Sequence, residues 1–127
     1  MAIKIVVVDA AQLPDGVEFP PLATPKYGWE QYPRLQQDEI EDRCWRADIL
    51  VSLGMPVDRA ALEKLHRLKL VIAVGDACRT LDQVAARDKG IELLIFPNDN
   101  CADPSAAQDL CVRIGAAIDH YIDNSTA

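Results

Sequence analysis

The sequence lacks an apolar run close to the roughly 20 residues that a membrane-spanning helix needs. Its first apolar run, Ile3 to Val8, has no charged leader before it and no small-residue cleavage site after it, so it does not resemble a secretory signal. It indicates a first core strand instead. We therefore expect a cytoplasmic protein without a membrane segment.

Positive charge is also scarce. The chain has 13 Lys and Arg against 20 Asp and Glu, which gives a net charge of −7 and a pI near 4.7. Binding to nucleic-acid phosphates or to anionic membranes needs clustered Lys and Arg. The charge balance therefore predicts neither a nucleic-acid partner nor a membrane surface.

The cysteines lack the spacing of a metal site. None of the four forms a C-x-x-C pair, and neither His66 nor His120 lies at zinc-finger spacing from them: Cys44, Cys78, Cys101 and Cys111. Cys78 and Cys101 precede predicted helices, where the pKa of a thiol can fall, and this makes them candidates for labelling. A catalytic thiol also needs a base nearby, and neither histidine is placed to provide one.

What the sequence does contain is an alternation of apolar runs and amphipathic segments. With 127 residues, half of them hydrophobic, we expect one domain spanning residues 1–127. The predicted strands are Ile3–Val8, Tyr27–Tyr32, Asp48–Leu53, Leu68–Val74 and Ile91–Phe96. Such alternation predicts an α/β protein of the flavodoxin-like, three-layer type, with a five-stranded parallel sheet in the order 2-1-3-4-5.

Connections between these strands carry their own signals. Five prolines between Pro14 and Pro33 exclude a full helix from the first crossover. Residues 37–45 and a segment after Asp58 are helical in pattern. Thr80 and Gln83 have capping-box spacing before a helix that Gly90 ends, and we expect Leu81, Val84 and Ala85 to face the sheet.

A last helix is predicted by Asp103 as the N-cap and Pro104 at the first helical position. Its apolar residues recur at helical spacing: Ala107, Leu110, Cys111, Ile114, Ile118 and Tyr121. We expect this face either to fold back on the sheet or to pair with a second copy in a homodimer. The polar tail from Asp123 to Ala127 is expected to fray.

Two loops at the carboxyl ends of neighbouring strands form the predicted binding site, since ligands of α/β proteins usually bind there. A loop that leads into a helix holds unpaired N–H groups, which suit an anion. The candidate residues are Ser52, Leu53, Gly54, Gly75, Asp76, Ala77, Cys78 and Arg79. The alternative is a loop that binds nothing.

Other site types fit the sequence less well. Asn98, Asp99, Asn100 and Asp103 carry oxygen ligands but lack calcium-loop spacing, and a turn followed by an N-cap explains them. We predict no metal site and no catalytic residue. A phosphorylated receiver domain needs clustered acids after the first strand, where Asp9 stands alone, and the loop at 10–14 lacks the Ser and Thr of a flavin phosphate site.

Several segments together resemble the substrate-binding domain of D-isomer-specific 2-hydroxyacid dehydrogenases of the glycerate dehydrogenase and hydroxypyruvate reductase type. The segments that carry the resemblance are Lys4 to Pro14, Ala47 to Ser52, Met55 to Asp58, Lys69 to Asp82 and Ala85 to Ile91. It implies a two-domain, NAD-dependent enzyme whose substrate lies between the domains. The loop after the fourth strand would present N–H groups to the substrate carboxylate.

The sequence also differs from that family at several informative positions. No G-x-G-x-x-G dinucleotide loop exists in the sequence, and the family's catalytic Arg, acidic residue and His would lie beyond residue 127. In the loop itself, Ala77 and Thr80 stand where the family has Gly and Asn. Asp76 would oppose a bound carboxylate by Coulomb repulsion, which Arg79 could offset.

These observations lead to two hypotheses. The first is a stand-alone relative of the substrate-binding domain, without catalysis or a cofactor of its own, which binds a small carboxylate or serves as an interaction module. The second is a fragment or split subunit of an active NAD-dependent 2-hydroxyacid dehydrogenase. The expected partners are a small carboxylate, a second copy paired through the C-terminal helix, or a separate cofactor-domain protein.

Overall fold

A parallel β-sheet forms the centre of the molecule. The computed structural model describes residues 3–22, 27–34, 39–54, 59–75, 78, 81–96 and 103–126. Its strands are β1 (Ile3–Val8), β2 (Tyr27–Tyr32), β3 (Ile49–Ser52), β4 (Leu70–Val74) and β5 (Glu92–Phe96). They run in the order β2-β1-β3-β4-β5, and every neighbouring pair is parallel. The predicted fold class and strand order are confirmed.

The central strands explain why the sheet is parallel. β3 and β4 are buried along their whole length, as are the last four residues of β1. Continuous apolar, largely β-branched runs suit strands that are covered on both faces. β1 and β2 have the predicted bounds, whereas β3, β4 and β5 each begin one or two residues later than predicted.

Helices cover both faces of the sheet. They are α1 (Ile40–Cys44), α2 (Arg59–Lys64), α3 (Gln83–Asp88) and α4 (Pro104–Thr126), and a short 3₁₀ turn spans Ala10–Gln12. The residues packed with α1, α2 and α3 form one core with Val6, Leu50 and Val71. The opposite core contains α4 and residues of the proline-rich first crossover.

The long helix α4 provides most of the second core. Its apolar residues pack against Ile5, Ile49 and Ile72 of the sheet, and they are Ala107, Leu110, Ile114, Ile118 and Ile122. The apolar face thus folds back on the sheet, which is the first of the two predicted outcomes. Pairing of two copies through this helix stays a prediction.

The start of α3 differs from the prediction. Asp82 is the N-cap, and its Oδ1 accepts a hydrogen bond from the Ala85 N–H at 2.9 Å, whereas Thr80 lies outside the described residues. Because the helix begins at Gln83, Ala85 and Ala86 face the core and Val84 is 60 % exposed. The expectation that Val84 faces the sheet is therefore wrong.

Other helix termini follow the sequence signals. Gly90 follows α3 with a φ of 74°, a conformation that favours glycine. The Asp103 Oδ2 accepts from the Ala106 N–H at 3.0 Å, so the predicted N-cap of α4 is confirmed. α4 continues to Thr126, so the tail extends the helix instead of fraying at Asp123.

Within the described ranges, no helix is long and apolar enough to cross a membrane.

Replacing Ile114 tests how much the packing of α4 stabilises the fold. Ile114 is fully buried, so Ile114→Ala should lower the free energy of unfolding by about 2–5 kcal/mol. Val112 is 48 % exposed on the same helix, and Val112→Ala should change it by at most about 0.5 kcal/mol. Urea denaturation followed by circular dichroism measures both; equal losses would contradict this packing.

Candidate functional site

The carboxyl ends of β1, β3, β4 and β5 meet at one edge of the sheet. In register, Val8 lies opposite Ser52, Ser52 opposite Ala73, and Val74 opposite Phe96. Because the strands are parallel, the loops that leave them start side by side. The structure therefore brings Ser52 to Gly54 next to the start of the Gly75 loop, as the sequence predicts.

Gly75 turns the chain sharply out of β4. Its φ is 59°, in the left-handed region where a Cβ is unfavourable. The Gly75 N–H donates to the Phe96 carbonyl at 2.9 Å, and the Gly75 carbonyl accepts from the Cys78 N–H at 3.1 Å. The turn is thus tied both to the end of β5 and to the start of the following segment.

Three of the predicted backbone donors are already used inside the protein. Besides Gly75 and Cys78, the Leu53 N–H donates to the Val8 carbonyl at 3.3 Å. The Ser52 side chain is fully buried and interacts within the protein. The N–H groups of Leu53, Gly75 and Cys78 are therefore not available to an anion at this edge. Asp76, Ala77 and Arg79 lie outside the described residues.

Asp9, which the sequence indicated only as the end of β1, belongs to the same edge. It has a left-handed backbone, with φ 61° and ψ 36°, which is uncommon for a residue other than glycine and more frequent for Asp and Asn. Its Oδ2 accepts a hydrogen bond from the Gln12 Nε2 at 3.1 Å. An acidic residue directly after the first strand of an α/β fold is the signal that could have placed it here.

Gly54 makes room for that carboxylate. A Cβ at position 54 would lie 2.7 Å from the Asp9 Oδ2 and 3.2 Å from the Gln12 Nε2. A side chain at residue 54 would therefore force the Asp9 and Gln12 side chains to move. The result is a negative charge at the edge where the sequence predicts an anion.

The thiol of Cys78 is protected rather than activated. Its Sγ–H donates to the Ala73 carbonyl at 3.3 Å, and burial raises the pKa of the Cys78 thiol although backbone hydrogen bonds partly oppose this shift. The expectation that its pKa can fall before a helix is wrong for Cys78. Cys101, the other candidate for labelling, lies outside the described residues.

Among the described residues, Cys44 and the two histidines do not form a reactive centre at this edge. Burial, with a smaller effect of the Glu30 charge, raises the pKa of Cys44 to about 11. His66 and His120 line clefts with residues at the starts of the strands, such as Lys69 and Glu92. Both histidines therefore lie near the opposite edge, and neither can serve Cys78 as a base.

The described residues do not form a metal site. They contain no group of three or more His, Cys, Asp or Glu side chains that could hold an ion. Asp103 acts as the N-cap of α4, which agrees with the turn-and-cap interpretation. Asn98, Asp99 and Asn100 are outside the described part of the chain.

The contact between positions 9 and 54 predicts a coupled effect on stability. Gly54→Ala should lower the free energy of unfolding by about 1–3 kcal/mol, because the new Cβ meets the Asp9 carboxylate. In an Asp9→Gly background the same substitution should cost less, since that carboxylate is gone. Urea denaturation of the two single variants and the double variant measures this coupling, and strict additivity would contradict it.

The raised pKa of Cys78 predicts slow alkylation. At pH 8 the folded protein should react with iodoacetamide at Cys78 roughly tenfold or more slowly than the urea-unfolded chain, since only the thiolate is nucleophilic. Peptide-level mass spectrometry separates this thiol from the others, and buried Cys111 provides an internal reference. Faster alkylation in the folded state would mean that the loop activates the thiol.

The sequence of the chain is similar to that of a known protein. No protein-family profile matches the chain. A Haemophilus influenzae protein named "Putative 2-hydroxyacid dehydrogenase" is 28 % identical over 88 residues, which are 69 % of this chain and 28 % of that protein. The chain therefore spans little more than a quarter of the length of this relative.

A solved structure agrees with the fold. The apo-structure of D-lactate dehydrogenase from Escherichia coli superposes with a TM-score of 0.55 over 77 % of this chain and 32 % of that one, at 14 % identity. This likeness concerns the fold alone. The predicted resemblance is confirmed: the chain is similar to part of a protein named as a 2-hydroxyacid dehydrogenase, and it corresponds to only part of the proteins it matches.

Proposed function

We propose that this chain is the carboxylate-binding part of a 2-hydroxyacid dehydrogenase-type protein, and that it performs no hydride transfer by itself. The left-handed turn at Gly75 carries the proposal, because it directs the chain out of β4 at the edge where the loop after β3 also begins. The sequence similarity to a 2-hydroxyacid dehydrogenase-like protein supports the same class of ligand.

Three N–H groups of the candidate loops are not available to a carboxylate. The N–H groups of Leu53, Gly75 and Cys78 are bonded within the protein. The proposal therefore gives the carboxylate to the segment between Gly75 and Leu81, with its backbone N–H groups and the Arg79 guanidinium. A guanidinium can bind a carboxylate through two hydrogen bonds. Its positive charge would offset the negative charge of the Asp9 carboxylate.

The residues present do not fit a nicotinamide cofactor. None of the six glycines stands in a G-x-G-x-x-G loop, the sequence that lets a backbone approach a pyrophosphate. The acid–base pair that hydride transfer to a carbonyl needs is also missing from the described carboxyl edge, because both histidines line clefts near the other edge. We therefore assign binding to this chain and no redox step.

Isothermal titration with hydroxypyruvate, glycerate, lactate and NADH tests the proposal. Gly75→Ala should weaken binding of the preferred carboxylate about tenfold or more, because it strains the turn that shapes the loop. Gly90→Ala is the matched control, since Gly90 also has a positive φ but follows α3 far along the chain. NADH should not bind.

Three results would contradict this function. They are the absence of heat with all three carboxylates, equal weakening by Gly75→Ala and Gly90→Ala, and oxidation of NADH by the purified chain in the presence of hydroxypyruvate.

A second candidate function follows from the partial coverage of the matched proteins. The chain spans 28 % of the H. influenzae relative and 32 % of the D-lactate dehydrogenase chain, so it suits one part of an active dehydrogenase. If so, adding a separately produced dinucleotide-binding domain encoded beside it should restore hydroxypyruvate-dependent NADH oxidation. A neighbouring reading frame with G-x-G-x-x-G would favour this candidate, and a mixture without activity would oppose it.

A further inference from the structure

The two edge strands of the sheet are built differently. β2 contains Gly28 and the charged Glu30, whose carboxylate pairs with Lys4 at 2.8 Å. The first crossover also packs on this side, where the Phe19 and Trp29 rings lie 5.1 Å apart. β5, with the sequence Glu-Leu-Leu-Ile-Phe, has one charge at its start and no Pro, Lys or Gly.

β5 therefore lacks the features that usually protect an edge strand from pairing, such as interior charges and prolines. Ile95 is 41 % exposed, and Leu93, Leu94 and Phe96 are only partly buried, in contrast to the fully buried β4. Clefts open on both sides of it: one of about 310 Å³ beside Leu93 and Ile95, and one of about 560 Å³ beside Leu94.

The hydrogen bonds to β4 fix which backbone groups face outward. The Glu92 N–H donates to the Lys69 carbonyl, and the Phe96 carbonyl accepts from Gly75. In a parallel ladder these directions alternate along the strand, so Glu92, Leu94 and Phe96 face β4. The N–H and C=O groups of Leu93 and Ile95 point away from the sheet, where the described chain has no further strand.

These outward groups are complementary to a second copy of themselves. If another β5 lies antiparallel about a twofold axis at Leu94, each Leu93 stands opposite an Ile95 and the two exchange both backbone hydrogen bonds. Leu94 then meets its own copy in a non-hydrogen-bonded pair. An interface related by a twofold axis uses the same patch on both copies, as this register does.

Charge complementarity favours the same register. It places Glu92 of one copy opposite Phe96 of the other, on the sheet face that α4 covers. The Arg113 guanidinium lies 5.6 Å from the centre of the Phe96 ring. Arg113 is 42 % exposed and already pairs with Asp109 of its own helix at 2.9 Å, so Glu92 of the other copy would join this pair. Each Glu92 carboxylate would therefore approach the Arg113 of the other copy, twice in the dimer.

We propose that the outer edge of β5 is a self-association surface, on which a second copy of this chain adds its β5 antiparallel and makes one continuous ten-stranded sheet. This surface is distinct from the apolar face of α4, which is buried against the sheet. It is also independent of carboxylate binding, because it lies along β5 and not at the carboxyl ends of β3 and β4.

Sedimentation velocity on the 127-residue chain tests the proposal, at concentrations up to roughly 1 mM, where even a modest affinity gives a complex. A single monomer–dimer equilibrium is expected. Ile95→Lys should raise the dissociation constant about tenfold or more, because it puts a charge on the edge strand. Val112→Lys is the control, since Val112 shares the α4 flank of Gln108, which contacts Glu18 of the first crossover.

Charge removal tests the register. Glu92→Gln and Arg113→Gln should each raise the dissociation constant about threefold, as expected for partly exposed ion pairs. The double variant should raise it little further than either single variant, because each change removes the same pair. Circular dichroism on every variant shows whether it is folded.

A cysteine at the twofold axis gives a test that does not depend on a destabilising charge. Mild oxidation of Leu94→Cys should yield a disulfide-linked dimer through position 94, because residues in a non-hydrogen-bonded pair have Cα atoms about 4.5 Å apart. Leu93→Cys should not link to itself, since position 93 stands opposite 95 and its own copy lies beyond the disulfide limit of about 7 Å. Peptide mapping distinguishes these bonds from those of the native cysteines.

Four outcomes would overturn the proposal. A chain that is monomeric at every concentration has no such surface. A dimer that Ile95→Lys leaves intact uses another surface, and association that continues past the dimer is not closed by a twofold axis. Linkage of Leu93→Cys as efficient as that of Leu94→Cys would exclude the register.

Discussion

The rest of the structure depends on the burial of three parallel strands, β1, β3 and β4, between two layers. Their apolar runs can leave water on both faces only if helices or crossover segments cover both sides. Because both faces of the sheet must be covered, the crossover segments have to pack on both sides. Because the strands are parallel, their carboxyl ends lie at the same edge of the sheet. Candidate site and core are thus consequences of one constraint, and loss of the packing on either face would also separate the loops that form the site.

At the carboxyl edge, the backbone geometry is more restrictive than the side chains. Gly75 has a left-handed backbone where the chain leaves β4, and Asp9 has one where the chain leaves β1. At Gly54, a side chain would meet the Asp9 carboxylate. Asp9 has an unfavourable backbone conformation, and position 54 has no room for a side chain. Folds retain such features where the surrounding structure determines them. The same edge carries a negative charge, so a carboxylate ligand needs a positive group to offset it.

The sequence predicted the parts of the fold that depend on long patterns. The runs at Ile3–Val8 and Leu68–Val74 indicate buried strands, and right-handed crossovers then leave few sheet orders. The Asp103–Pro104 pair located the start of α4 for a local reason, since an N-cap bonds within one turn. Such signals depend on neighbouring residues, and the tertiary structure does not override them.

The predictions that failed depend on details that a pattern does not contain. Asp82 is the N-cap of α3, and a helix that begins at Gln83 turns Val84 outward. The pKa of Cys78 depends on whether burial outweighs nearby backbone donors, which position in a loop does not reveal. The left-handed backbone of Asp9 was not predicted, because a single Asp after a strand adopts this conformation only in some contexts. Each of these errors lies at a loop or helix terminus, close to the candidate site.

The central claim is that this chain holds a carboxylate at the edge formed by the loops after β3 and β4. Backbone amide chemical shifts measured by NMR during titration with hydroxypyruvate test it most directly. The account predicts saturable changes concentrated between Gly75 and Leu81, with smaller ones from Leu53 to Gly54. Saturable changes centred instead on the cleft beside His66 and Lys69, or no changes at all, would contradict it.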